Sequence, residues 1–156
     1  MSYQIVGQPI PRTDNTGKVT GETHYTADVL LPGTLWAKTL RSPYPHARIR
    51  RIDTFRAAKA PGVRALITGA DVRGILYGRR YRDISVLAQE RVRFMGERVV
   101  ALAAETLEAA EHALDLVQVD YEQLPAVHDP VAALQEGAPI LHPDVNSYPG
   151  LPKPLE

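Results

Sequence analysis

Residues 98–122 read RVVALAAETLEAAEHALDLVQVDYE, and three different periodicities follow one another along them. Arg98 to Glu105 is a nearly continuous apolar run, short enough for a buried strand and too short to span a bilayer. From Thr106 to Leu116 the apolar residues Leu107, Ala110 and Leu114 recur at helical spacing and continue to Val117. Thr106 stands where a side-chain oxygen can accept from the first turn, and Glu108 lies near the positive end of the helix dipole. Leu116 to Glu122 then alternates as a half-buried strand. The succession is strand, helix, strand. If the two strands are parallel, the crossover is right-handed. It predicts an α+β domain: a mixed sheet carrying a β-α-β unit and a few short helices.

Working outward, Val63 to Thr68 (VRALIT) reads as a compact strand. A short helix over Phe55 to Ala60 is capped by Asp53 or Thr54 and stopped by Pro61-Gly62. Leu35 to Ser42 (LWAKTLRS) and His46 to Asp53 (HARIRRID) alternate as strands and are expected to pair with each other. The prolines between them donate no ladder bonds and suit a connection. Residues 73–84 (RGILYGRRYRDI) are expected to be a mobile loop. On the far side, Asp129, Pro130 and Gly137 frame a short helix in AVHDPVAALQEGAP. The expected limits are an extended arm over 1–16, a domain over 17–137, and a Pro-rich tail or linker over 138–156.

The chain has 156 residues, 44% hydrophobic and 23% charged, which suits one globular domain with a real core. It has no cysteine, which excludes disulfides, thiolate metal sites and thiol nucleophiles from this polypeptide. The N-terminus lacks the basic and apolar regions of a secretory signal, so a cytoplasmic protein without membrane association is expected. The zero net charge conceals an asymmetry. Residues 1–100 hold 17 Lys or Arg against 8 Asp or Glu, a balance of +9, and residues 101–156 hold 1 against 10, a balance of −9. Either the surface has two poles or the halves interleave in space; sequence position does not choose between them.

Motifs for chemistry are lacking. No Gly-rich dinucleotide fingerprint, P-loop or nucleophile elbow occurs. The histidines (His24, His46, His112, His128 and His142) show no zinc-helix spacing, so turn and surface positions are expected for them. Arg41, Arg48, Arg50, Arg51 and Arg56 form a basic cluster, but strand alternation puts Arg48 and Arg50 on one face and Arg51 on the other. Aromatic interleaving is confined to Tyr44 and Phe55, so nucleic-acid binding is not expected. Asp120 and Glu122 flank Tyr121 as the wet side of an edge strand rather than an acid/base pair.

One resemblance covers residues 7 to 145 in order. It rests on Arg12-x-Asp14, Lys18-Val-Thr-Gly21, Tyr25-x-x-Asp28, Leu31-Pro-Gly33, Arg41-Ser-Pro43 and His46-Ala-x-Ile49, continuing through 61–72, 92–106 and 117–134. This set resembles the opening of the large, molybdopterin-binding subunit of the xanthine dehydrogenase/aldehyde oxidase family. Tyr44-Pro45 and Arg98 depart from the pattern, the family often carrying a His-Ala-like pair and a proline there. The loop from Val72 to Val86 is also brief. The resemblance implies an α/β hammerhead domain, as a fragment or separate subunit of a molybdenum-dependent hydroxylase or dehydrogenase. It implies a structural and assembly role, with no catalytic, cofactor-binding or metal-binding residue in this chain and no activity of the piece alone. The molybdopterin cofactor is expected in the remainder of the large subunit, with iron–sulfur clusters and FAD on partner domains or subunits. The alternative is a free-standing, non-catalytic scaffold or binding protein with the same fold. A small enzyme built on Arg79, Arg80 and Arg82 would require a closed pocket around that loop.

Overall fold

The computed structural model describes residues 4–79 and 82–143. It divides into two compact units, residues 1–34 and residues 35–156. In the larger unit the strands are β1 (Trp36–Arg41), β2 (Ala47–Asp53), β3 (Val63–Thr68), β4 (Leu76–Tyr77), β5 (Ile84–Ser85), β6 (Arg91–Val92), β7 (Arg98–Ala104) and β8 (Gln118–Gln123). The helices across the chain are α1 (Asn15–Thr20), α2 (Phe55–Ala58) and α3 (Leu107–Asp115).

β7 is the centre of the first sheet, in the order β1-β7-β3 with both neighbours antiparallel. Its small apolar side chains allow cover on both faces: Val99, Val100 and Ala104 are fully buried and Leu102 nearly so. α3 lies across this sheet. Thr106 caps it as expected, its Oγ1 accepting from Ala109 N–H at 3.1 Å. The buried helix face is centred on Ala110 and Ala113, packed against Leu102, Ala104 and Ala60, with Leu114 half-buried beside them. Alanine at these two positions lets the helix axis come close to the sheet.

The second sheet has the order β6-β2-β8, again antiparallel throughout. β1 and β2 therefore do not pair with each other, contrary to the sequence expectation. The residues between them carry the chain from one sheet to the other, and each strand finds partners distant in sequence. The strand–helix–strand succession is present as β7-α3-β8, but its strands belong to different sheets. The handedness rule has no parallel pair to act on. The α+β class stands, with antiparallel sheets in place of one mixed sheet.

β2 contains a shift that simple alternation does not reveal. Ile49 faces Tyr121, while Arg51 faces Asp120 and Ile52 faces Val119, so Arg50 is the extra residue of a bulge. The bulge puts Ile49 and Ile52 on the same core-facing side, although they are three apart. It also corrects the expected placement of the arginines: Arg48 and Arg51 lie across from Glu122 and Asp120, one face of β8.

Other differences are local. α2 ends two residues before the expected stop, and its entry is fixed by Asp53, whose carboxylate accepts from Phe55 N–H at 3.1 Å. The expected mobile loop contains the β4–β5 pairing. The expected helix after Asp129 is a single 3-10 turn over Ala132–Leu134; Asp129 does cap the segment, accepting from Val131 and Ala132 N–H. The tail beyond residue 143 and Arg80 lie outside the described residues.

In the smaller unit, the expected extended arm gives way to α1 from Asn15. Asp14 stands just before it, its carboxylate receiving Arg12 at 3.0 Å and also Lys18, one turn on. Lys18 first and Arg12 second hold the Asp14 carboxyl below its ordinary range. No helix among the described residues is long and apolar enough to cross a membrane.

Among the described glycines, Gly69 marks the closest backbone approach. A Cβ added there would stand 2.3 Å from the Ala88 carbonyl oxygen. Gly69→Ala is therefore expected to destabilise the domain by about 2–3 kcal/mol in denaturant unfolding, because a backbone atom cannot rotate away. Ala110→Asp should cost several kcal/mol or abolish folding. Glu111→Lys, which exchanges an exposed 2.8 Å pair with Lys38 for a repulsion, should cost about 1 kcal/mol or less. Equal effects in the two helix variants would mean that α3 presents a different face.

Candidate functional site

The family-like motifs are used in local structure. Tyr25 donates its backbone N–H to Asp28 Oδ2 at 2.8 Å, closing a 3-10 turn over Thr26–Asp28. In Leu31-Pro-Gly33, Gly33 has φ +80°, and Thr34 returns both its N–H and its hydroxyl to Leu31 O. Arg41 donates to Gly96 O at 2.8 Å. Ser42, 3% exposed, exchanges backbone bonds with the β6–β7 turn: its N–H donates to Glu97 O and its carbonyl accepts from Gly96 N–H, both at 2.8 Å.

His46 is the one histidine of the five that is deeply buried, at 5% exposure. Its Nδ1–H donates to Pro125 O at 2.7 Å. A carbonyl oxygen only accepts, so Nδ1 carries the hydrogen, and in the neutral ring Nε2 is an acceptor. That Nε2 is buried without a hydrogen-bond partner. His24, His112 and His128 are exposed and His142 is half-buried; His128 alone among them lines a cavity with His46.

That cavity, about 340 Å³, is an open groove in the larger unit. Pro45, His46, Phe94, Met95, His128 and Leu141 are among its lining residues. Its walls are fixed by hydrogen bonds. Leu124 N–H donates to His46 O at 3.0 Å, and Arg93 Nε–H donates to Leu141 O at 3.1 Å. Glu97, 6% exposed, accepts from Arg93 N–H at 2.5 Å and so closes the turn that carries Phe94 and Met95. Sequence reading passed over Arg93, Phe94, Met95 and Glu97; the signal available was an aromatic and a methionine beside a Gly-Glu step in VRFMGERVV.

Three arginines of the basic cluster face carboxylates. Arg50 meets Glu122 at 2.5 Å with Arg48 at 4.0 Å, and Arg51 meets Asp53 at 2.8 Å. Glu122 is therefore a counter-charge to the two arginines, and Tyr121 between the carboxylates turns to the core against Tyr44, ring centroids 5.3 Å apart. Arg79 and Arg82 are exposed on the β4–β5 hairpin. Among the described residues no three His, Asp or Glu side chains stand close enough to hold a metal. Without cysteine the chain offers no ligand set for an iron–sulfur cluster. No chemical step is assigned to the described residues.

Burial pushes the Glu97 carboxyl up, with the Arg93 N–H opposing it more weakly. A raised folded value means that ionisation favours the unfolded chain. The stability linked to this proton is therefore complete below the ordinary Glu range and is lost as pH rises through the raised value. Thermal unfolding of the wild type against Glu97→Gln, which keeps an acceptor for Arg93 N–H, should show this loss in the wild type alone. A pH dependence identical in both would remove Glu97 as its source.

Residues 20–125 match the model of the aldehyde oxidase and xanthine dehydrogenase a/b hammerhead domain. The chain is 46% identical over 136 residues to a probable xanthine dehydrogenase subunit of Bacillus subtilis, covering 86% of this chain and 18% of that protein. It is 38% identical over 150 residues to the carbon monoxide dehydrogenase large chain of Afipia carboxidovorans, covering 91% and 18%. It is 32% identical over 147 residues to the nicotinate dehydrogenase large molybdopterin subunit of Eubacterium barkeri, covering 94% and 35%. Among solved structures it superposes on a Cu,Mo-CO dehydrogenase with a TM-score of 0.83 at 37% identity, over 89% of this chain and 18% of that one. On the aldehyde oxidoreductase of Desulfovibrio gigas the TM-score is 0.76 at 33% identity, over 88% and 17%. The chain thus spans about a fifth to a third of the curated relatives it matches. With the fold and the ordered motifs in agreement, this chain belongs to the aldehyde oxidase and xanthine dehydrogenase family, as its α/β hammerhead domain.

Proposed function

We propose that this domain is a structural and assembly element of the large subunit of a molybdenum-dependent hydroxylase or dehydrogenase, and that it supplies no catalytic residue. The observation that carries this reading is how the motif residues are used. Arg12, Asp14, Asp28, Arg41, Ser42 and His46 each hold a turn, a helix end or a sheet junction. Side chains committed to local hydrogen bonds are poorly placed to bind and turn over a substrate. In this reading the molybdopterin cofactor sits in the remainder of the subunit, and iron–sulfur clusters and FAD sit on partner domains or subunits. Residues 138–156 link the domain to that remainder. The assembled enzyme is cytoplasmic.

The test is purification of the complete large subunit from its native gene, followed by metal analysis. Stoichiometric molybdenum in the complete subunit and none in the isolated 156-residue chain is the expected result. A native gene that encodes no molybdenum-binding region would favour a free-standing scaffold instead. Stoichiometric molybdenum in the isolated chain would overturn the division of labour.

A further inference from the structure

We propose that the cavity between the β2 bulge and the turn that follows β3 is a binding site for a small phosphate monoester. It shares no lining residue with the groove at His46 and is independent of the function proposed above.

The bulge creates the site. In an unbroken strand Arg50 and Arg51 would point to opposite faces. Arg50 is the extra residue of β2, and both arginines line one cavity of about 280 Å³. Arg73 lines it from the turn after β3, and no Asp or Glu among the described residues does. Three guanidinium groups around so small a space repel one another, and an anion between them relieves that repulsion. Arg50 meets Glu122 and Arg51 meets Asp53, but a guanidinium has more N–H donors than one carboxylate occupies. The Arg73 side chain has no ion pair or hydrogen bond among the described residues.

The walls are fixed in the absence of any ligand. Ile49 N–H donates to Glu90 O at 2.9 Å and Ala88 N–H to Arg98 O at 2.7 Å, which ties the segment carrying Gln89 to β2 and β7. Gly69 lies against that segment so closely that a Cβ would meet the Ala88 carbonyl. The turn that carries Arg73 is closed on itself. Asp71 N–H donates to Thr68 O at 3.1 Å, and its carboxylate accepts from Thr68 N–H at 2.7 Å and from the Thr68 hydroxyl at 3.0 Å. The acid of this turn is thus engaged with Thr68 and does not line the cavity. Donors held in place before binding lose little entropy when a ligand arrives.

The ligand class follows from charge, shape and size. Arginine forks match phosphate oxygens in pairs, and three of them exceed what a single carboxylate neutralises. Ile49 and Ile52 in the lining give a short organic remainder an apolar contact that inorganic phosphate does not use. The arginines converge on one cavity rather than running as a stripe, which suits one phosphate group and not a polymer backbone.

The complete chain encoded by the native gene is titrated calorimetrically at constant ionic strength with glycerol 3-phosphate, inorganic phosphate, acetate and a single-stranded oligonucleotide. Saturable binding of the ester is expected, with inorganic phosphate weaker and no saturable heat from acetate. Arg73→Gln should weaken the ester about tenfold, and Arg73→Lys, which keeps the charge without the fork, by less. Both variants should unfold at the wild-type temperature without ligand, because Arg73 has no internal partner to lose. Arg56→Gln removes the same charge from exposed α2, outside the cavity, and should leave the affinity unchanged. The proposal is overturned if the ester does not bind, or if Arg56→Gln weakens it as much as Arg73→Gln, which would mean general charge attraction only. Equal affinity for inorganic phosphate would remove the ester, and tighter binding of the oligonucleotide would replace the site with a nucleic-acid surface.

Discussion

The structure depends on β7 having both edges and both faces occupied. Its backbone groups are taken by β1 on one side and β3 on the other. Val100, Leu102 and Ala104 leave no buried side chain in need of a polar partner. A strand enclosed in this way fixes where its neighbours can go. α3 must cover one face through alanines, the second sheet shares the Val99–Val100 core, and polar residues are left to the turns and edges.

The charge asymmetry is partly interleaved. Cations of the first hundred residues meet anions of the last third: Lys38 with Glu111, Arg64 with Glu105, and Arg48 and Arg50 with Glu122. These pairs are exposed and individually weak. They bring opposite charges of the two halves together where their strands and helix pair or pack.

What was legible in the sequence was what depends on near neighbours. β3 runs over the expected residues, β7 ends one residue early, α3 is one residue shorter at each end, and the Thr106 cap is where the pattern places it. Partner choice was not legible, because an alternating strand carries no label for which edge it will meet. β1 and β2 look like a hairpin only because they are adjacent in sequence. The Arg50 bulge was hidden for a related reason: the i, i+3 spacing of Ile49 and Ile52 makes sense only once Tyr121 and Val119 lie opposite. α1 was missed because Gly17 and the threonines give its six residues poor helix propensity. The groove was the least legible element. Its walls join residues some eighty to a hundred positions apart, and Phe94 and Met95 taken alone resemble ordinary core residues.

The pairing order has a further consequence for how the chain is made. β1 and β3 leave the ribosome before β7 exists, and β2 emerges well before β8. Neither sheet can close until its late partner is synthesised, and until then two strands of the first sheet present unpaired edges. Contacts this distant in sequence slow folding and lengthen that exposure. The stretch from Arg98 to Gln123 is therefore the closing segment of the domain, and a polypeptide arrested before it would carry most of the strands and no finished sheet of either kind.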